Sequence, residues 1–220
     1  MSVNNEQNME KTILEAAEKL FLEKGFAMVS TTQIAKAAGC NQALVHYYYR
    51  TKDRLFEAIF ADKLKTFFSV IFQTHDESLT FEEKLKKYIG AHFDMLMANP
   101  KLPFLVVNEL TTNPSRIDSL KEMLGPTINH AYEPFQKELD VEIEAGRVRP
   151  ISIPDIIYSM VALNVMVFIG TPIMKKILFL DESHFNYMLQ YRKEENIRII
   201  LSSLKPDAET EKIAKSKKRK

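Results

Sequence analysis

Apolar residues recur at spacings of three and four over almost the whole chain, while alternating strand patterns and glycine-rich hairpin turns are scarce. With only 6 glycines in 220 residues, the periodicity predicts an all-α protein. In KTILEAAEKLFLEKGF, the positions Ile13, Ala16, Ala17, Leu20 and Phe21 make one buried helix face. Gly25 ends that helix, and Phe26 is placed to pack back onto it, as follows a glycine C-cap.

A second helix is expected after Ser30, which forms a Ser-x-x-Gln capping box with Gln33, and it runs only to about Ala38. Gly39 supplies a positive-φ residue, Cys40 plugs inward, and Asn41 caps a third short helix from Gln42. Two short helices joined by a tight glycine turn read as a helix-turn-helix. Beyond it the pattern predicts longer helices over about 52–74, 80–98, 101–111, 115–124, 126–145, 154–178 and 184–204, nine to ten in all. Breaks are expected at Asn99-Pro100, Asn113-Pro114, Gly125-Pro126, Gly146 with Pro150, and Asp181-Glu182-Ser183; Pro103 and Pro134 start or kink a helix. The resulting division is a helix-turn-helix domain over 1–52, a helical domain over 53–205 and a disordered basic tail over 206–220, ending in KIAKSKKRK.

Several classes are set aside by composition. The single cysteine, Cys40, excludes an intrachain disulfide framework and fits a reducing compartment. The polar start MSVNNEQNMEK lacks the blocks of a secretory signal. IIYSMVALNVMVFIG, Ile156 to Gly170, falls short of the roughly 20 residues that span a bilayer and contains Asn164. It reads as a buried core helix, and the expected location is cytoplasmic, with no membrane partner.

A net charge of +1 means that any nucleic-acid site must be local. The segment GCNQALVHYYYRTK supplies it. Neighbours on a helix are about 100° apart, so one core cannot bury Tyr47, Tyr48 and Tyr49 alike. With Val45 inward, Tyr48 and Tyr49 flank the same face, and Gln42, Ala43, His46 and Tyr47 point away. Those side chains suit a DNA major groove, where glutamine pairs with adenine and alanine or a ring edge meets a thymine methyl. Around them, Ser30, Thr31, Thr32, Tyr48 and Lys52 are types that hold phosphate oxygens. Lys24, Lys36, Arg50 and Lys52 make the span from Lys24 to Lys52 locally basic, with no negative residue.

The stretch VSTTQIAKAAGCNQALVHYYYRTKDRLFEAIF resembles the N-terminal DNA-binding domain of the TetR family of transcriptional regulators. About 45 residues carry the likeness: the Thr/Ser-capped helix, the Ile-Ala-x-x-Ala-Gly turn, the short helix ending in aromatic residues, and the Lys-x-x-Leu opening of the fourth helix. EAGRVRP, Glu144 to Pro150, resembles the break before the family's last two long helices. The resemblance implies an all-helical homodimer with an N-terminal helix-turn-helix domain and a C-terminal domain for ligand binding and dimerisation. By position it implies that Gln42, Ala43, Leu44, His46 and Tyr47 read bases or line the groove, and that Ser30, Tyr48 and Lys52 hold phosphate. Gln42 stands where the family often has lysine, Leu44 where it often has threonine, and His46 where it often has tyrosine, so the operator preference is this chain's own.

Elsewhere His75, His92, His130 and His184 are scattered without HExxH spacing, and neither a metal site nor a cofactor is expected. A methionine- and aromatic-rich stripe suits a deformable pocket for an apolar effector. Its candidate lining residues are His92, Phe93, Met95, Asn108, Tyr132, Tyr158, Asn164 and Phe168. The helix 156–170 is apolar on nearly every side and, with HFNYMLQYRKEENIRIILSSL, would form half of a four-helix dimer interface. The expected function is a homodimeric repressor that binds a double-stranded operator and leaves it when a small apolar molecule binds. No nucleophile–base pair, catalytic carboxylate pair or phosphate-binding glycine loop argues for an enzyme. A helical enzyme using the apolar cavity and a ligand-independent protein-binding adaptor stand as the alternatives.

Overall fold

The computed structural model describes residues 2–73, 78–179 and 181–206. His75 and the basic stretch KIAKSKKRK lie outside the described residues. Among the described residues the chain forms nine α-helices and no strand. They are α1 (Ser2–Lys24), α2 (Thr31–Ala37), α3 (Gln42–Tyr49), α4 (Lys52–Gln73), α5 (Phe81–Ala98), α6 (Leu102–Thr112), α7 (Ser115–Glu144), α8 (Ile153–Ile177) and α9 (Glu182–Ser203).

The helices gather into two compact units. The first combines residues up to Thr66 with Lys101–Gly125, and the second combines Phe67–Pro100 with the chain from Pro126 onward. In the first unit, Ile13, Ala17 and Phe21 form the inward stripe of α1, as their four-residue spacing dictates. They meet Ile34 and Ala35 of α2, Val45 and Tyr49 of α3, Leu55, Phe56 and Ile59 of α4, and Leu105 of α6. A smaller cluster joins Ala61 of α4 to Leu120 and Leu124 of α7. Burial of about twelve such apolar side chains, at roughly 1.5–3 kcal/mol each before entropy, holds the helix-turn-helix in place far more firmly than its short helices could alone. Gly25 adopts φ +82, its N–H reaches the Phe21 carbonyl at 2.9 Å, and the Phe26 ring packs 5.2 Å from that of Phe21.

In the second unit α5, α8 and α9 pack together with the later part of α7. Phe81, Leu85 and Ile89 of α5 meet Leu139, Ile153, Ile156, Met160, Ile197 and Ile200. Phe93, Leu96, Phe168, Phe185 and Leu189 extend this core. Thr80 caps α5 in a capping box with Glu83, whose carboxyl is held below its ordinary range by hydrogen bonds from the Thr80 backbone and hydroxyl.

Two details differ from the periodicity. The break expected at Gly125-Pro126 does not form: α7 runs through both Pro126 and Pro134. Proline's fixed φ is itself helical, so a proline inside a helix removes one i−4 hydrogen bond and strains one turn without compelling an end. The apolar stretch expected over 156–170 belongs to a 25-residue helix, long and apolar enough to cross a membrane by length and composition. Only its stripe Ile153, Ile156, Met160, Asn164 and Phe168 is buried in the chain.

Candidate nucleic-acid interface

The helix-turn-helix is built from local hydrogen bonds that leave one face of α3 outward. Ser30 Oγ accepts from Gln33 N at 3.2 Å while Ser30 N donates to Gln33 Oε1 at 2.9 Å, so α2 starts with a closed capping box. Gly39 takes φ +67, the Cys40 N–H returns to the Ala35 carbonyl at 3.0 Å, and Asn41 Oδ1 accepts from Leu44 N at 2.9 Å to start α3. Cys40 is half-buried against the core, and burial pushes its thiol up, away from the reactive thiolate.

Val45 and Tyr49 are buried and fix the rotation of α3. The Tyr49 hydroxyl donates to the Glu10 carbonyl at 3.1 Å, and burial, with Glu10 and Asp62 nearby, pushes that phenol up. Gln42, Ala43, His46 and Tyr47 are exposed, Tyr47 to 71%. Tyr48 is half-buried and its ring stands edge-on to that of Tyr47 at 5.1 Å. Leu44 is also half-buried against the core, so only its outer part shares the exposed face.

The polar members of this face are already tied to one another. Thr32 Oγ1 donates to Gln42 Oε1 at 3.1 Å, and Gln42 Nε2 donates to Thr31 Oγ1 at 3.0 Å. The same amide nitrogen lies 3.2 Å from His46 Nε2, and His46 Nδ1 lies 2.9 Å from the Arg50 carbonyl oxygen. Arg50 adopts φ +60 where α3 ends, rare for a side chain other than glycine or asparagine, and this turns its carbonyl toward the imidazole.

Lys52 sits where α4 begins, and its ammonium is tied to the connection ahead of α2. Its Nζ donates to the carbonyls of Phe26 and Val29, both at 3.0 Å, and lies 4.2 Å from the centroid of the Phe26 ring. An ammonium has three N–H donors, so one is left for an outside acceptor. The lysine therefore ties the start of α4 to the connection that leads into Ser30 and α2.

The candidate effector residues do not form one group. His92, Phe93, Met95, Asn164 and Phe168 share the second unit, four of them buried and Met95 half-buried. Asn108 belongs to the first unit, on an exposed face of α6, while Tyr132 and Tyr158 are exposed, the latter to 77%. A surface groove of about 400 Å³ near the start of α5, lined by Leu79, Phe81, Lys84, Lys137, Glu138 and Val141 among others, contains none of them. At the buried center Asn164 Nδ2 donates to the Ile89 carbonyl and to His92 Nδ1, both at 3.1 Å, and Asn196 Nδ2 donates to Asn164 Oδ1 at 3.0 Å. Burial holds His92 down to a pKa of about 4, which suits an acceptor Nδ1. Asn196, absent from the expected set, lies on the stripe of Leu189 and Ile200. A polar residue on a buried stripe was the available signal.

The family model described as bacterial regulatory proteins, tetR family, matches residues 13–59. The chain is 23% identical over 137 residues to the Bacillus subtilis (strain 168) fatty acid metabolism regulator protein, covering 62% of this chain and 69% of that one. It is 22% identical over 190 residues to the probable HTH-type transcriptional regulator YttP of the same strain, covering 85% and 90%. Among solved structures, the transcriptional regulator FadR from Bacillus subtilis in complex with stearoyl-CoA aligns with a TM-score of 0.69 at 19% identity, covering 88% of this chain and 98% of that one. The fatty acid degradation regulator FadR from Bacillus halodurans aligns at 0.65 and 22% identity, covering 87% and 94%. At these identities the structures speak for the fold.

Proposed function

The chain is a TetR family transcriptional regulator, and on that premise we propose that it is a homodimeric, cytoplasmic repressor whose two helix-turn-helix units dock in successive major grooves of a near-palindromic operator. The observation that carries the reading is the outward face of α3, where Gln42, Ala43, His46 and Tyr47 stand beside the hydroxyl-bearing start of α2. Gln42, Ala43, Leu44, His46 and Tyr47 contact bases or line the groove. Ser30, Thr31, Thr32, Tyr48 and Lys52 hold phosphate oxygens and set the register. The functional division into 1–52, 53–205 and 206–220 belongs to the same proposal.

The dimer is supported by α8. Its stripe of Ile153, Ile156, Met160, Asn164 and Phe168 is buried, while Ile157, Tyr158, Val161, Met166 and Ile173 on other faces are exposed, as are Tyr187 and Tyr191 of α9. An apolar surface of this length requires a cover. A second copy supplies it by completing a four-helix interface, and the charged outer positions of α9, Glu194 and Arg198 among them, suit water rather than lipid.

For the effector we propose a long-chain acyl-CoA. Support comes from the stearoyl-CoA held by a protein of the same fold and from the relative named for fatty acid metabolism. His92, Phe93, Met95, Asn164 and Phe168 are the residues of this chain proposed to meet it. Binding there must part a packed core, so the effector selects a rearranged state and releases DNA only as far as it binds that state more tightly.

The test is selection of bound fragments from the source genome, with and without added stearoyl-CoA. The expected result is a near-palindromic site whose recovery falls when the acyl-CoA is present. Recovery of no site overturns the DNA reading. A site recovered equally well across medium- and long-chain acyl-CoAs overturns the effector class alone.

A further inference from the structure

We propose that Arg116, in the first turn of α7, is a positioning residue for the DNA-contacting Lys52. This rests on the reading of Lys52 as a phosphate contact and adds a part of the first unit that no helix-turn-helix motif includes. Arg116 is 3% exposed. Its Nη1 donates to Glu109 of α6 at 2.9 Å and its Nη2 to Asp53 of α4 at 2.6 Å. The guanidinium carbon lies 4.0 Å from the centroid of Phe26 and 4.7 Å from that of Phe56.

Phe26 is the shared element. Lys52 Nζ lies 4.2 Å from the same ring and is placed by donating to the Phe26 and Val29 carbonyls. One aromatic ring thus attracts both cations, and the carboxylates of Asp53 and Glu109 offset the charge of Arg116. Asp53 is the residue next to Lys52, and the Phe26–Val29 connection leads straight into the Ser30 cap. Every tie that Arg116 makes to α4 or to Phe26 therefore ends within one residue of Lys52 or on the ring and connection against which Lys52 rests, apart from the packing on Phe56.

A structural role alone accounts poorly for this arrangement. Arg116 Nε is buried with no hydrogen-bond acceptor among the described residues, and Glu109 is itself buried. Well-packed apolar residues commonly hold such a position at lower cost than a buried charge cluster. What an arginine supplies and an apolar residue does not is a planar fork that fixes Asp53 and Phe26 at once. Without it the half-exposed Asp53 carboxylate is freed beside Lys52, where it competes with DNA phosphate for the ammonium.

The experiment is a double-mutant cycle on DNA affinity, read by fluorescence anisotropy with a labelled random-sequence duplex over a salt series. Arg116→Met is combined with Glu109→Gln so that no buried carboxylate is left unpaired, and folding is checked by circular dichroism. In the wild type, Lys52→Ala is expected to weaken binding about tenfold and to lower the salt slope by about one. The R116M/E109Q chain is expected to lose a similar factor, and adding Lys52→Ala to it to change little, because both act through one contact. Full additivity of the two effects, or wild-type affinity in folded R116M/E109Q, overturns the proposal. Should that chain fail to fold, Phe26→Leu removes the shared ring instead. It is expected to show the same loss and non-additivity with Lys52→Ala, and unchanged affinity overturns the proposal. A wild-type chain that ignores Lys52→Ala overturns the phosphate assignment, and one that binds no DNA overturns the function reading. The first measurement separates those failures from failure of the Arg116 inference.

Discussion

At the residue scale, the Gln42 side-chain amide is held in one orientation. The Arg50 carbonyl can only accept, so His46 Nδ1 carries the proton and His46 Nε2 accepts from Gln42 Nε2, while Thr32 donates to Gln42 Oε1. Gln42→Ala is expected to relax choice at one base position by about 1–3 kcal/mol. Thr32→Val should blur choice at that same position, measured by competition among single-base operator variants; unchanged discrimination in Thr32→Val would show that the relay does not aim the amide. In the second unit, burial lowers His92 from 6.5 to about 4. Between those values the unfolded chain binds the proton and the folded chain does not, so stability falls as pH drops through the window, by on the order of 3 kcal/mol, and levels off below it. His92→Gln should flatten that slope in thermal melts taken between pH 7 and about pH 4. The outward direction of Gln42 is legible from Val45 alone, but its partner Thr31 is eleven residues away on another helix. No periodicity contains that contact.

At the element scale, a cap acts within three residues, which makes Ser30 and Asn41 legible as starts; Thr80 and Asp181 accept from the backbone N–H three positions on in the same way, but Asp181 reads in sequence as part of a break, and its helix begins at Glu182 rather than 184. Ser30→Ala should cost about 1 kcal/mol of stability and also weaken DNA binding, since it removes a cap and a proposed phosphate contact together. Gly39→Ala is a contrasting test of the turn. Nothing lies within 4 Å of an added Cβ, so its cost is the positive φ alone, about 1–2 kcal/mol. A melting temperature equal to wild type in Gly39→Ala would contradict that account. Stop signals were less legible. Gly125-Pro126 reads as a break, yet α7 continues: Glu122 and Pro126 are exposed, so water can take the carbonyl that loses its i+4 partner, and a local sequence window does not show that exposure.

At the scale of the whole molecule, the exposed apolar face of α8 is the surface proposed to meet a second copy. Val161→Glu is expected to turn the dimer into a monomer by sedimentation, to make the melting temperature independent of protein concentration, and to weaken operator binding by removing the second half-site contact. A dimer that survives Val161→Glu would place the interface elsewhere. By itself, the sequence determined the all-helical class, the capped helix-turn-helix, the outward face of α3 and the family likeness, because each depends on residues within a few turns of one another. Only the tertiary structure decided that Lys52 holds the carbonyls of Phe26 and Val29, that Arg116 bridges Asp53 and Glu109, that Asn164 meets Asn196 in the core, and that Asn108 lies in the other unit from His92. The contacts among them join residues from seven to 63 positions apart, and what brings them together is the burial of several helices at once, which no local pattern encodes.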